Sequence, residues 1–182
     1  MGKVLWHVTM SLDGFIAGPG DAMEWAFHYS HPNAAVDEVI RLTGAVLSGR
    51  RSFDVGRRPG QAPQAQKPYG GAWSGPLLVL THRPPPDGVD PDITFLARDI
   101  RGAVELALRA ARGKDIVVIG ANVARQCIDE GLIDEIMVHL APVLLGDGIR
   151  FFDRIGAAQV NLEETGIERA GQITNLRFRV RK

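Results

Sequence analysis

"DIVVIGANVARQCIDEGLIDEIMVHLAPVLL", residues 115–145, places two apolar runs around one short helical segment. The first run, 115–120, has the β-branched content of a buried strand and stops at Gly120. Residues 122–130 follow helical spacing and end at Gly131, a residue type that stops helices. Residues 133–145 resume as a strand, broken at Pro142. A strand, a crossover helix and a second strand predict an α/β layer fold with a largely parallel sheet.

Outward from this unit the same alternation continues. "KVLWHVTM" (3–10), "AVLSG" (45–49), "PLLVLT" (76–81) and "ITFL" (93–96) read as four more buried strands. Asn33 can cap a helix that turns Val36, Val39, Ile40 and Thr43 inward, carries Asp37 and Glu38 in its first turn, and ends at Gly44. Asp99 caps a second helix running to Gly113, with Ala103, Val104, Ala107, Leu108 and Ala111 on its inner face. "SLDGFIAGPGDAMEW" (11–25) is too often interrupted by glycine for a regular element. The Gly/Pro/Gln-rich arm 57–75 has a composition that resists packing and reads as a lid or dimer contact.

The C-terminus follows a different period. "ITNLRFRVRK" (173–182) alternates Leu176, Phe178 and Val180 with Arg177, Arg179 and Arg181, the pattern of a strand with one wet face. Paired with "AQVNLEETG" (158–166), it predicts an antiparallel hairpin that closes the sheet. The expected architecture is three-layer α/β/α, a mostly parallel mixed sheet with an antiparallel C-terminal edge strand, in one domain spanning 1–182.

Composition excludes several function classes. Lysine plus arginine and aspartate plus glutamate number 21 each, so no global charge attracts nucleic acid or an anionic membrane. Cys127 is the only cysteine, which rules out an internal disulfide framework and a zinc site built on several thiolates. "MGKVLWHVTM" lacks the apolar core of a signal peptide, and no apolar run approaches the roughly 20 residues that span a bilayer. A cytoplasmic protein is expected.

Three strand ends carry polar or glycine-rich turns: "LSGRRSF" (47–53), "LTHR" (80–83) and "VIGANVARQ" (118–126). In open α/β sheets ligands collect outside the carboxyl ends of strands, so the three can build one site. A helix opening near Asn122 offers unpaired N–H groups and a partial positive charge, and Gly120 removes the side chain that would block a pyrophosphate. Arg50, Arg51 and Arg83 add forked donors for phosphate oxygens, with Ser52, Thr81 and His82 as smaller ones. Taken singly, each is more often a plain turn or a solvated face, and only their joint order favours a dinucleotide with an extra phosphate. His28 and His31 are spaced as metal ligands can be, but no carboxylate or cysteine completes a set, so no metal is expected. His139, mid-strand between Val138 and Leu140, reads as a satisfied core or interface residue, and Cys127 as a packing residue. No G-x-S-x-G elbow and no P-loop is present.

Read together, "MSLDGFIA", "GRRSF", "LLVLTHR" and "VVIGANVARQCIDEGLIDEIMVHLAPVLLGDG" resemble, in order and over nearly the whole chain, the dihydrofolate-reductase-like superfamily. Within it the chain is most similar to the C-terminal reductase domain of bifunctional riboflavin biosynthesis proteins. The resemblance implies NADPH-dependent hydride transfer to a small conjugated heterocycle, pterin- or pyrimidine-like. It implies nicotinamide contacts at Thr9, Ile16 and Ala17. The adenosine side with its 2′-phosphate falls to Gly49, Arg50, Arg51, Ser52, Thr81, His82 and Arg83, and the pyrophosphate to Gly120, Ala121, Asn122 and Val123.

On the substrate side the resemblance implies Trp25 in the mobile-loop tip "AMEW", and Asp147 and Gly148 in "LLGDGIRFF". Asn33 stands near the place where dihydrofolate reductases carry a pterin-gripping carboxylate, with Asp37 one turn later. Gly120-Ala121 stands where those enzymes join two glycines by a cis peptide. Asp13, Glu24 and Asp37 are the candidate proton donors. A homodimer is implied, and the H-x-E and P-C-x-x-C site of the zinc deaminase that usually accompanies this domain is absent from these residues. The alternative reading is an NADP-binding protein of the same fold without catalysis.

Overall fold

The apolar runs become strands because both of their faces are covered. The computed structural model describes residues 2–29, 32–60, 66–84, 92–153 and 158–182. Its strands are β1 (Val4–Ser11), β2 (Phe15–Ala17), β3 (Thr43–Gly49), β4 (Leu77–Leu80), β5 (Ile93–Leu96), β6 (Asp115–Ile119), β7 (Glu135–Ala141), β8 (Ile149–Arg150), β9 (Leu162–Ala170) and β10 (Ile173–Val180). Eight of them form one sheet in the order β5-β4-β3-β6-β1-β7-β10-β9, and β2 pairs with β8 separately. The sheet is parallel from β5 to β7; β10 runs antiparallel to β7 and to β9.

Adjacent residues on one strand enter opposite cores, as the two-residue period requires. Trp6, Leu47 and Val118 pack under α4 (Ile100–Ala110) and α5 (Ala121–Asp129), whereas Leu5, Val46 and Val117 pack under α2 (Ala34–Leu42) and α3 (Arg50–Val55). Two helical layers therefore sandwich the sheet, and strands buried on both sides read as continuous apolar runs rather than alternating ones. A further single turn, α1 (Glu24–Phe27), precedes α2.

Both predicted caps form. Asn33 Oδ1 accepts from Ala35 N–H at 3.1 Å, and Asp99 Oδ1 accepts from Gly102 N–H at 2.7 Å. The end of α2 differs from expectation. The helix stops at Leu42, and Thr43, read as its last inward residue, instead starts β3 while its hydroxyl donates to Val39 O at 2.6 Å. Gly44 serves packing: a Cβ there would lie 2.4 Å from Ala111 O, so only glycine lets β3 pass the end of α4. Ala35 and Val39 are the buried residues of α2, while Val36 and Ile40 turn toward the cleft described below.

The C-terminal hairpin is antiparallel as read, but the edge is β9 and β10 lies inside it. The arginine-bearing face of β10 is only partly wet. Asn175 on that face is buried, and Arg177 Nη2 donates to Glu38 Oε2 of α2 at 2.6 Å. The arm 57–75, whose residues 61–65 lie outside the described ones, does pack. Trp73 is buried with its Nε1–H on Thr43 O at 3.1 Å, and Tyr69 lies against the same core. Two aromatics anchor what the average composition makes look loose. No helix among the described residues is long and apolar enough to cross a membrane.

Candidate active site

The carboxyl ends of β1, β3, β4 and β6 open into one cleft of about 2260 Å³. Gly120 sets its innermost turn. Its φ of 99° is costly for any residue with a side chain, and a Cβ there would lie 2.6 Å from Ser52 Oγ. Ala124 N–H makes the first return bond of α5, to Gly120 O at 3.1 Å, so the N–H groups of Ala121, Asn122 and Val123 precede the helix's own hydrogen bonding. Gly49 sits close by, with 3.1 Å from a built Cβ to Val123 Cγ2. Glycines at both turns thus press α3 and the start of α5 together. No peptide bond among the described residues is cis, and Gly120-Ala121 is trans.

The arginines on α3 are engaged within the protein. Arg50 Nε donates to both Asp54 carboxylate oxygens, at 2.7 and 2.9 Å, and its Nη1 donates to Arg83 O at 2.5 Å, tying α3 to the exit of β4. Arg51 Nε lies 2.7 Å from Asp21 Oδ1, close enough for an ion pair but out of line for a hydrogen bond. Arg58 donates to Asp21 Oδ2 and to Gly20 O. Burial pushes the Asp21 carboxyl up, but the Arg58 hydrogen bond and the positive charges of Arg51 and Arg58 outweigh it and hold it below the usual range. Arg50, Arg51, Ser52, Thr81 and His82 line the cleft; Arg83, expected among the phosphate donors, does not, and contributes its carbonyl instead.

Thr9, Ile16, Ala17, Asp147 and Gly148 also line this cleft. A Cβ on Gly148 would lie 2.0 Å from Ala17 O, so this glycine is what lets the 147–148 turn seat on β2. Asp13 lies outside the lining. Its carboxylate accepts from Ser11 Oγ at 2.6 Å and from Leu145 and Gly146 N–H at 3.0 and 2.7 Å. The Ser11 hydrogen bond first, then those of Gly146 and Leu145, hold it at about 2 against the opposing effect of desolvation. It is ionised at any working pH, a loop tie and not a proton donor.

Asp37 is exposed and outside the lining, which also removes it as a donor. Glu24 borders the cleft but is exposed and takes Met23 N–H at 3.0 Å. Trp25 does not line the cleft; its Nε1 is buried without a partner. Among the described residues no three His, Cys, Asp or Glu could hold a metal, and His31 lies outside those residues.

Sequence reading missed the polar centre of the cleft. His7, Tyr69 and His139 line it. His7 stands on β1, and His139, on the neighbouring β7, is buried, as read, but by polar partners. Asn33, expected at the substrate, does not border the cleft and pairs side chain to side chain with Asn175. The only available signal was an imidazole in the middle of each of two apolar strands, and each alone has a bland explanation.

Comparison with known proteins adds the family context. A family model described as the RibD C-terminal domain matches residues 2–176. The uncharacterized protein YyaP of Bacillus subtilis (strain 168) is 26% identical over 167 residues, covering 87% of each chain. A proposed riboflavin biosynthesis protein from Shewanella sp. PV-4 has a similar fold, with a TM-score of 0.79 and 19% identity over 100% of both chains. A pyrimidine reductase-like protein from Corynebacterium diphtheriae gives 0.67 and 14% identity, covering 100% of this chain and 92% of that one.

Proposed function

The chain belongs to the RibD C-terminal domain family, and from that premise we propose that it is a reductase passing hydride from NADPH to a pyrimidine- or pterin-like heterocycle. The observation that carries the reading is the Gly120 turn. It leaves the first N–H groups of α5 facing a cleft wall where any side chain would collide with Ser52.

These residues fit a pyrophosphate. Ala121, Asn122 and Val123 would hold it by main-chain donors, and Arg50, Arg51, Ser52, Thr81 and His82 would take the adenosine and its 2′-phosphate, with Arg51 leaving Asp21 to do so. Thr9, Ile16 and Ala17 would flank the nicotinamide, which supplies a hydride when bound. Asp147 and Gly148 would border the substrate. The loop 18–23, already pinned to α3 through Asp21, would keep water from the reacting atoms. Assembly as a homodimer through the β9 edge, where Leu162 and Ile167 are exposed, and a cytoplasmic location belong to the same reading.

One observation favours a second reading, nucleotide binding without catalysis. Asn33 is turned out of the cleft onto Asn175, so no carboxylate or amide from the start of α2 reaches a substrate, and Asp13 and Asp37 offer no acid to the cleft. Titration with NADPH, followed by scanning oxidised pterins, pyrimidines and quinones for loss of nicotinamide absorbance, separates the two. Turnover supports the reductase; binding without turnover supports the second reading; failure to bind NADPH overturns both.

A further inference from the structure

Tyr69, His7, His139, Asn175 and Asn33 form one unbroken hydrogen-bonded chain. Tyr69 Oη lies 2.8 Å from His7 Nδ1, His7 Nε2 lies 2.5 Å from His139 Nε2, and His139 Nδ1 lies 2.6 Å from Asn175 Oδ1. The two asparagine amides then bond reciprocally, at 2.9 and 3.0 Å. An imidazole nitrogen or a hydroxyl oxygen can donate or accept, and a side-chain amide can be turned to exchange its donor and acceptor ends. The direction of the chain must come from a group that cannot be reversed.

Ala35 N–H is that group. A main-chain N–H only donates, so the Asn33 side-chain atom it meets at 3.1 Å is the oxygen. Asn33 Nδ2 therefore donates to Asn175 Oδ1, and Asn175 Nδ2 donates back to Asn33 Oδ1; turning either amide would set donor against donor and acceptor against acceptor. Asn175 Oδ1 accordingly faces His139, whose Nδ1 must carry a proton. Burial is the largest influence holding both imidazoles below the ordinary histidine range; at His7 the charge of His139 and then that of Arg177 add to it, and at His139 the Asn175 hydrogen bond opposes it while Arg177 adds to it. In the neutral pair His139 Nε2 is bare, so His7 Nε2 holds the shared proton and His7 Nδ1 is bare in turn. Tyr69 must donate its hydroxyl proton to His7.

A hydroxyl whose proton is committed has only lone pairs left to offer. We infer that Tyr69 is a specificity-determining residue that presents a hydrogen-bond acceptor to the cleft, so that the ligand edge docking against it carries N–H or O–H donors. Amino- and lactam-bearing heterocycles have such an edge; rings bearing only carbonyl or ether oxygens would set acceptor against acceptor. Asn33 and Asn175 are positioning residues for this polarity, acting through the two histidines. The ligand class rests on the proposed heterocycle reduction, whereas the polarity of the chain does not.

Two measurements test it. Long-range proton–nitrogen NMR on protein labelled with nitrogen-15 histidine, without ligand at neutral pH, should show His7 protonated at Nε2 and His139 at Nδ1. A proton on His7 Nδ1 or on His139 Nε2 alone overturns the polarity. Titration with 2,4-diaminopyrimidine and 2,4-dimethoxypyrimidine should show tighter binding of the diamine, and Tyr69→Phe should weaken the diamine by about 3- to 10-fold while leaving the diether unchanged. Equal affinity, equal loss in the variant, or binding of neither probe overturns the specificity role. A protein that meets these expectations yet fails to oxidise NADPH would overturn the reductase reading and leave this one standing.

Discussion

Asp21 and Arg51 meet at 2.7 Å across the mouth of the cleft, joining the loop after β2 to α3. Asp21 is buried and holds a positive φ of 66°, while the Arg51 side chain is 70% exposed. The pair therefore has one fixed partner and one free to reach outward, and a phosphate arriving at α3 competes with Asp21 for the guanidinium. Arg51→Ala should weaken NADPH binding relative to NADH by about 10- to 100-fold, the range expected for a charge-assisted hydrogen bond. Arg83→Ala, at a residue that uses its carbonyl, should change neither. Isothermal titration with both dinucleotides decides, and equal losses for NADPH and NADH in Arg51→Ala would remove the 2′-phosphate from this position.

The turn at Gly120 carries a stability consequence as well. Alanine there must adopt a φ of 99° and place its Cβ 2.6 Å from Ser52 Oγ. Gly120→Ala should cost about 1 to 3 kcal/mol of stability, read by thermal or denaturant unfolding, and abolish detectable NADPH binding. An unfolding midpoint matching the parent protein would mean that the turn relaxes freely and that the site does not depend on it.

The histidine pair should make stability depend on pH. His7 and His139 titrate below the ordinary value when folded, so below about 6.5 the unfolded chain binds protons that the native state refuses. Their contribution is full above that pH and is lost progressively as the solution is acidified. Unfolding free energy measured from pH 7.5 to pH 5 should fall, and His7→Gln with His139→Gln should flatten that slope. An unchanged slope in the double variant would assign the acid sensitivity elsewhere.

Much of this architecture was legible because its strands are buried on both faces. Val46 and Leu47, or Val117 and Val118, enter different cores, and such runs stand out as uninterrupted apolar stretches. The caps at Asn33 and Asp99 were readable for a local reason: each side chain bonds within three residues of itself. The polar chain was not, because Asn33 and Asn175 are 142 residues apart and His7 and His139 are 132 apart. Only the order of strands brings them together. α3 was missed because six residues are too few to show a helical period, and the anchoring of the arm hung on Tyr69 and Trp73 alone.

Asp13 gives the sharpest separation of structural from chemical roles. Sequence reading offered it as a proton donor; the structure surrounds it with Ser11 Oγ–H and the N–H groups of Leu145 and Gly146, all donating. Its depressed pKa means that this stabilising contribution is present above the usual carboxylate range and is lost as pH falls toward about 2. Asp13→Asn should therefore loosen the 144–146 turn selectively, raising amide exchange at Leu145 and Gly146 while exchange in β6 stays unchanged. The pH profile of any NADPH turnover should keep its shape, because an acid ionised throughout the working range contributes no limb to it. A lost limb with exchange at Leu145 and Gly146 unaltered would reverse the assignment and return Asp13 to the chemistry.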